Sequence, residues 1–147
     1  MIKITQNRSG CPISSSLEII GDTWSLLIIR DLFLQRTTFS EFMNSPEKIS
    51  SNILTNRLKK LLNFNLIEFY RDPNDKKVKK YFLTAAGIDL YPLIYNISIW
   101  SKKHLDIEYN NIAFDWFKEN FDKTPSQTIV DDVKTYENFK ESTLKNI

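Results

Sequence analysis

Residues 49–71, ISSNILTNRLKKLLNFNLIEFYR, change their hydrophobic period within a few residues of Asn63. Leu54, Leu58, Leu61 and Leu62 recur at the spacing of one face of a 3.6-residue helix. The opposite side carries Asn52, Asn56, Lys59, Lys60 and Asn63, flanked by Ser51, Thr55 and Arg57, and it holds no carboxylate. A solvated helix usually mixes both signs of charge, so donors and positive charge without acids suit an anionic partner. The competing reading is a plain solvated face, since the chain has 13 Asn in 147 residues. Past Asn63 the period drops to two, and LIEFYR reads as a strand.

The neighbouring segments define what this helix-to-strand switch belongs to. Cys11-Pro12 opens a first helix with its proline where a missing N–H does no harm, and Ile13, Leu17 and Ile20 form its apolar stripe. Gly21 ends it. Asp22 or Thr23 then caps a second helix, Trp24 to about Leu34, whose run WSLLIIRDLFL has only Arg30 and Asp31 as charges and predicts a buried central helix. Thr38 and Glu41 have capping-box spacing at the start of a short helix around Phe39 and Phe42. SPEKIS is a turn, with Ser50 placed to cap the leucine-faced helix. LIEFYR, the turn DPNDKK and VKKYFLT together predict a β-hairpin with a basic tip.

Thr84 is expected to start a long helix in which Ile88, Tyr91, Tyr95 and Ile99 lie beside Leu90, Leu93, Ile94, Ile97 and Trp100. A helix that is apolar on more than one face needs two neighbours, and a domain this small can take one of them from a second chain. Residues 106–147 read as one or two further helices around Phe114, Trp116, Phe117 and Phe121, then a weak tail from Thr124. The expected organisation is a single globular unit with a functional and dimerising part at 10–105 and an acidic helical extension at 106–147.

The fold class is therefore mainly α with a small β-hairpin. A short helix, a turn and a polar-faced helix make a helix-turn-helix, and the hairpin that follows is its wing. In such a module the second helix enters the major groove and the hairpin tip lies along phosphates or in the minor groove. Charge agrees in its distribution more than in its sum of +2. Nine basic and three acidic residues fall between Lys48 and Lys80, a net of +6, whereas five lysines and nine acids from Asp106 onward give −4. The expected partner is double-stranded DNA: Asn52, Thr55 and Asn56 at base edges, Arg57, Lys59, Lys60, Lys76, Lys77 and Lys79 at phosphates, and Thr38, Ser40 and Ser51 as further contacts.

Three blocks of sequence also carry a resemblance. CPISSSLEIIGDTWSLLIIRDLF, FSEFMNSPEKISSNILTNRLKKLLNFNLIEF and YFLTAAGIDLYPLI are similar, in order and spacing, to the HxlR-type winged helix-turn-helix regulators of bacteria, over roughly residues 10 to 104. The resemblance implies a homodimer on palindromic promoter DNA. Some relatives sense electrophiles or oxidants through a cysteine matching Cys11, so a small-molecule or electrophile effector is implied as well. Where the family places an acidic residue and a glycine before the first wing strand, this chain has Asn63-Phe64-Asn65, and Asn65 is expected to supply the left-handed turn. The extension beyond His104 is longer than typical for the family.

Other functions are constrained by what the chain contains. Cys11 is its one cysteine; it is either a small buried residue at a helix start or a redox sensor activated by the helix N-terminus, with Arg8 as the nearest cation in sequence. His104 is the one histidine, which rules out His-based metal clusters and makes any Ser/His/Asp triad depend on a helix end. No enzyme, metal site or cofactor is expected. Trp24, Trp100 and the aromatic stretch 109–121 are either core or the lining of a small-molecule pocket. A winged helix that binds protein is the other alternative, but such modules tend to lose the basic charge kept here. The dimer interface is expected from Leu90, Leu93, Ile94, Ile97 and Trp100 with Ile13 and Leu17 of the first helix. No apolar run approaches the ~20 residues of a membrane span, and Met1 to Gly10 shows no secretory core, which predicts a cytoplasmic protein.

Overall fold

A computed structural model describes residues 1–4 and 9–147. Arg8 lies outside the described residues. Four helices come first: α1 (Pro12–Ile20), α2 (Ser25–Phe33), α3 (Phe39–Met43) and α4 (Ser51–Asn63). A two-stranded antiparallel sheet follows, β1 (Ile67–Arg71) and β2 (Lys79–Leu83), in register Ile67↔Leu83 through Arg71↔Lys79. Then come α5 (Ala85–Ile88), α6 (Tyr91–His104), α7 (Asn111–Glu119) and α8 (Pro125–Leu144).

Local chemistry accounts for the boundaries. The Thr38 hydroxyl accepts from the Glu41 N–H while the Glu41 carboxylate accepts from the Thr38 N–H, which closes the expected capping box. Ser50 Oγ accepts from the Ile53 N–H and starts α4. Asn65 sits at φ 53°, the left-handed turn that swings the chain from α4 into β1. The strands leave room for the next helix only because position 87 is glycine: a Cβ there would stand 2.1 Å from the Leu66 carbonyl oxygen.

The core forms where α2 lies under the helix-turn-helix and the sheet. Ile28, Ile29 and Leu32 of α2 meet Phe42, Leu54, Leu58 and Leu61, with Ile67 and Leu83 closing the sheet side. Burying each leucine contributes about 1.5–3 kcal/mol of transfer free energy, so the apolar stripe of α4 seats that helix firmly.

Two expectations are corrected. The long helix from Thr84 is broken: Thr84 caps only the four-residue α5, and α6 begins at Tyr91 after a turn at Asp89 and Leu90. Pro92 has no N–H to give the carbonyl four residues back, so an uninterrupted helix would lack that bond and crowd the ring. The weak tail from Thr124 is instead the longest helix of the described residues, 20 residues capped by a Thr124–Gln127 capping box. Its Tyr136 is 1% exposed and belongs to the same core as α2 and α4. The Tyr136 hydroxyl accepts the Leu83 N–H at 2.7 Å, and Lys140 Nζ reaches the Leu83 carbonyl at 2.6 Å and Glu68 at 2.7 Å. The extension thus packs on the winged unit and holds the root of the hairpin.

Candidate nucleic-acid interface

Helix α4 turns its leucines inward and leaves Ser51, Asn52, Thr55, Asn56, Lys59 and Asn63 exposed. The side-chain amides of Asn52 and Asn56 have no hydrogen-bond partner among the described residues, so their donors and acceptors face solvent uncommitted. Thr55 is partly spent, since its hydroxyl donates to the Ser51 carbonyl at 2.8 Å, which leaves its lone pairs and methyl outward. Thr38 is spent on the capping box, and Ser40 Oγ lies 3.3 Å from Thr38 Oγ1 at the exposed start of α3.

Arg57 and Lys60 differ from Lys59, the other basic residue of α4. Arg57 Nε lies 2.8 Å from Asp22 Oδ1, and Lys60 Nζ lies 3.3 Å from Asp22 Oδ2. The carboxylate missing from the helix is supplied by the loop before α2, where Asp22 also accepts from the N–H groups of Trp24 and Ser25 and from the Ser25 hydroxyl. Burial by itself would raise this carboxyl. The Ser25 hydroxyl, the two N–H groups and the Lys60 ammonium outweigh burial and hold it well below the ordinary carboxylate range. Asp22 therefore ties α4 to the start of α2 through charge-assisted bonds. It is the interface-supporting residue that the pattern of α4 alone could not reveal.

A second polar cluster fixes the turn before α4. Arg30 Nη1 lies 2.6 Å from Glu47 Oε1, and Arg30 Nη2 lies 2.8 Å from the buried Asp31 carboxylate, which also receives Arg36 at 2.9 Å. The Arg30 guanidinium pulls the Glu47 carboxyl down to about 2, against its partial burial. The Ser45 hydroxyl bonds to the same carboxylate.

The hairpin tip is ordered by its own side chains. Asp72 Oδ1 accepts from the Asn74 N–H and Asp75 Oδ1 from the Lys77 N–H, two Asx turns in seven residues. Arg71 Nη1 donates to the Lys76 carbonyl at 2.6 Å. Lys76 and Lys77 stand exposed with no ion pair among the described residues, whereas Lys79 lies 4.3 Å over the Phe69 ring and Lys80 pairs with Asp72 at 2.7 Å. The surface made by α4 and the tip is polar and basic, the chemistry that meets base edges and phosphates.

The helix-turn-helix, its wing and the core helix beneath them lie within residues 19–109, which match the sequence profile of the HxlR-like helix-turn-helix family. The chain belongs to that family. Among its relatives, the HTH-type transcriptional regulator YdeP of Bacillus subtilis is 32% identical over 99 residues, 66% of this chain and 76% of YdeP. The solved structure of PA1607 superposes with a TM-score of 0.63 at 32% identity, covering 71% of this chain and 72% of that one. The reduced form of the transcriptional regulator YodB from B. subtilis gives 0.55 at 28% identity, covering 67% and 97%. HxlR-like membership makes the chain a DNA-binding regulator of transcription. The family match stops at residue 109, before α7 and α8. Cys11 precedes the match as well; it is exposed and stands at the N-cap of α1.

The residues expected to pair two copies divide into two groups. Leu90 and Ile94 pack against the core of their own chain, while Ile13, Leu17, Leu93, Ile97 and Trp100 are exposed at 70, 56, 39, 47 and 57%. Part of the second apolar face of α6 is covered from within, because Tyr91 and Tyr95 are buried and Tyr95 stacks edge-on against Trp116 of α7. No helix of the described residues is long and apolar enough to cross a membrane, and none of them forms a group of three or more His, Cys, Asp or Glu placed to hold a metal ion.

Proposed function

We propose that this regulator is a homodimer that reads a palindromic operator by placing α4 in the major groove, with Asn52, Thr55 and Asn56 at base edges. The observation that carries the reading is a helix seated by leucines and by Asp22, whose two unpartnered amides face outward. An Asn amide can donate to and accept from adenine in a bidentate pair, while lysines neutralise phosphate. Lys59, Lys76, Lys77 and Lys79 take the phosphate role. Arg57 and Lys60, already paired with Asp22, serve mainly to anchor the helix. The acidic extension, net −4, lies on the side away from the DNA, where it does not repel phosphate.

Asn56→Ala should cost about 1–3 kcal/mol on the operator and little on scrambled DNA. Lys77→Ala should weaken both equally and lower the salt slope by about one. Titrations of both variants on both duplexes at several salt concentrations decide the matter; an unchanged operator preference in Asn56→Ala refutes the base-reading assignment.

A redox response is the finer part of this proposal. Cys11 is exposed at a helix start beside the apolar residues Ile13 and Leu17 of α1, so modification there would disturb the surface proposed to join two copies. Diamide or a quinone should change operator affinity in wild type and not in Cys11→Ser. A wild-type mass that stays unmodified after treatment ends the idea.

A further inference from the structure

The extension does more than buttress the core. Between α2, α6, α7 and α8 lies a cavity of about 470 Å³, inside the size range of small-molecule sites. Its aromatic wall is continuous: Tyr95 meets Trp116 at 5.8 Å, Trp116 meets Phe117 at 5.1 Å, and Phe117 meets Tyr109 at 5.0 Å, each at a steep angle. The cavity is also lined by four charged residues, Arg30, Arg36, Glu108 and Asp132.

Their partners decide the sign of the site. Arg30 and Arg36 are neutralised by Asp31 and Glu47. Asp132 Oδ2 instead accepts from two neutral donors, the Tyr91 hydroxyl and the indole N–H of Trp116 at 2.8 Å. Burial and the neighbouring Asp132 carboxylate push the Tyr91 phenol up, so it remains a neutral donor. Asp132 Oδ1 and the Glu108 carboxylate accept no hydrogen bond from the described residues, and the cation that acts on Asp132 at longer range, Lys123, forms its ion pair with Asp131 at 2.8 Å. The lining charge that has no ion pair among the described residues is therefore negative, beside aromatic faces whose quadrupoles attract cations. The wall already carries one cation, the Lys102 ammonium 4.7 Å from the Phe117 ring centroid.

We propose that this cavity binds a small aromatic organic cation, stacked on Trp116 and Phe117 with its positive centre toward Asp132 and Glu108. Trp116, Phe117 and Asp132 lie beyond the family match, while Glu108 and most of the rest of the lining fall within it, and the site stands whether or not the operator reading does, because its test contains no DNA.

Two ions of the same shape and opposite charge provide that test. In calorimetric titrations of the full chain, tetraphenylphosphonium should bind at least about tenfold more tightly than tetraphenylborate. Asp132→Asn should weaken the phosphonium about tenfold and Glu108→Gln about threefold, each narrowing the preference. Glu108 is exposed and makes no hydrogen bond, so Glu108→Gln keeps the comparison valid even if Asp132→Asn disturbs the fold. Equal affinity for the two ions, no phosphonium binding up to its solubility limit, or a preference unchanged in the folded variants overturns the proposal.

Discussion

Tyr136→Ala is expected to destabilise the protein by about 3–5 kcal/mol, a large part of the 5–15 kcal/mol typical of whole domains. Tyr136 is 1% exposed, stacks edge-on against Phe33 with ring centroids 5.1 Å apart, and belongs to the cluster that holds α2 and α4. Truncation leaves a cavity at that junction. It also strands the Leu83 N–H, which reaches the Tyr136 hydroxyl at 2.7 Å. Tyr136→Phe separates the two contributions: the ring remains, the buried donor loses its partner, and the cost should fall to about 1–3 kcal/mol. Urea unfolding followed by circular dichroism measures both. A midpoint unmoved by Tyr136→Ala would mean that α8 is not part of the cooperative core.

Leu93→Glu should convert the proposed dimer to monomers and lower operator affinity by about a hundredfold or more. Leu93, Ile97 and Trp100 follow one another at positions i, i+4 and i+7 on α6, all exposed, and Ile13 and Leu17 on α1 add a second exposed apolar stripe. A stable interface needs about 1,200–2,000 Å² of buried surface, which one such stripe does not supply and two copies of both helices can. The consequence for DNA is geometric. One recognition helix reads a few base pairs, while two related by a two-fold axis read half-sites about 34 Å apart. Because Leu93 is exposed and lies outside the core cluster, the substitution should leave the monomer's unfolding midpoint nearly unchanged. Light scattering at micromolar concentration gives the mass; a dimer that survives Leu93→Glu, or a monomeric wild type, defeats the interface.

The reading module of this chain was set by interactions within a few residues of one another. The change of period near Asn63, the caps at Thr38, Ser50 and Thr84, and the left-handed turn at Asn65 each depend on neighbours within about four positions, so the helix-turn-helix and its wing were legible before any fold existed. The polar face of α4 was legible as well, but not which of its charges stay free. Asp22 lies 35 residues from Arg57 and 38 from Lys60, and only the packing of α4 across the start of α2 brings it there. The expected weak tail failed for a related reason. Thr124 and Gln127 already signalled a helix start, yet the turn from Thr124 onward is polar, and Tyr136 gains its weight from a backbone N–H 53 residues away in β2. The aromatic stretch at 109–121 could have been core or pocket on pattern alone. Tertiary structure made it a wall, because α8 places Asp132 against Tyr91 and Trp116. Caps and periodicity are local properties of a chain; the pairing of a charge and the burial of a ring depend on whatever surface folding sets opposite them.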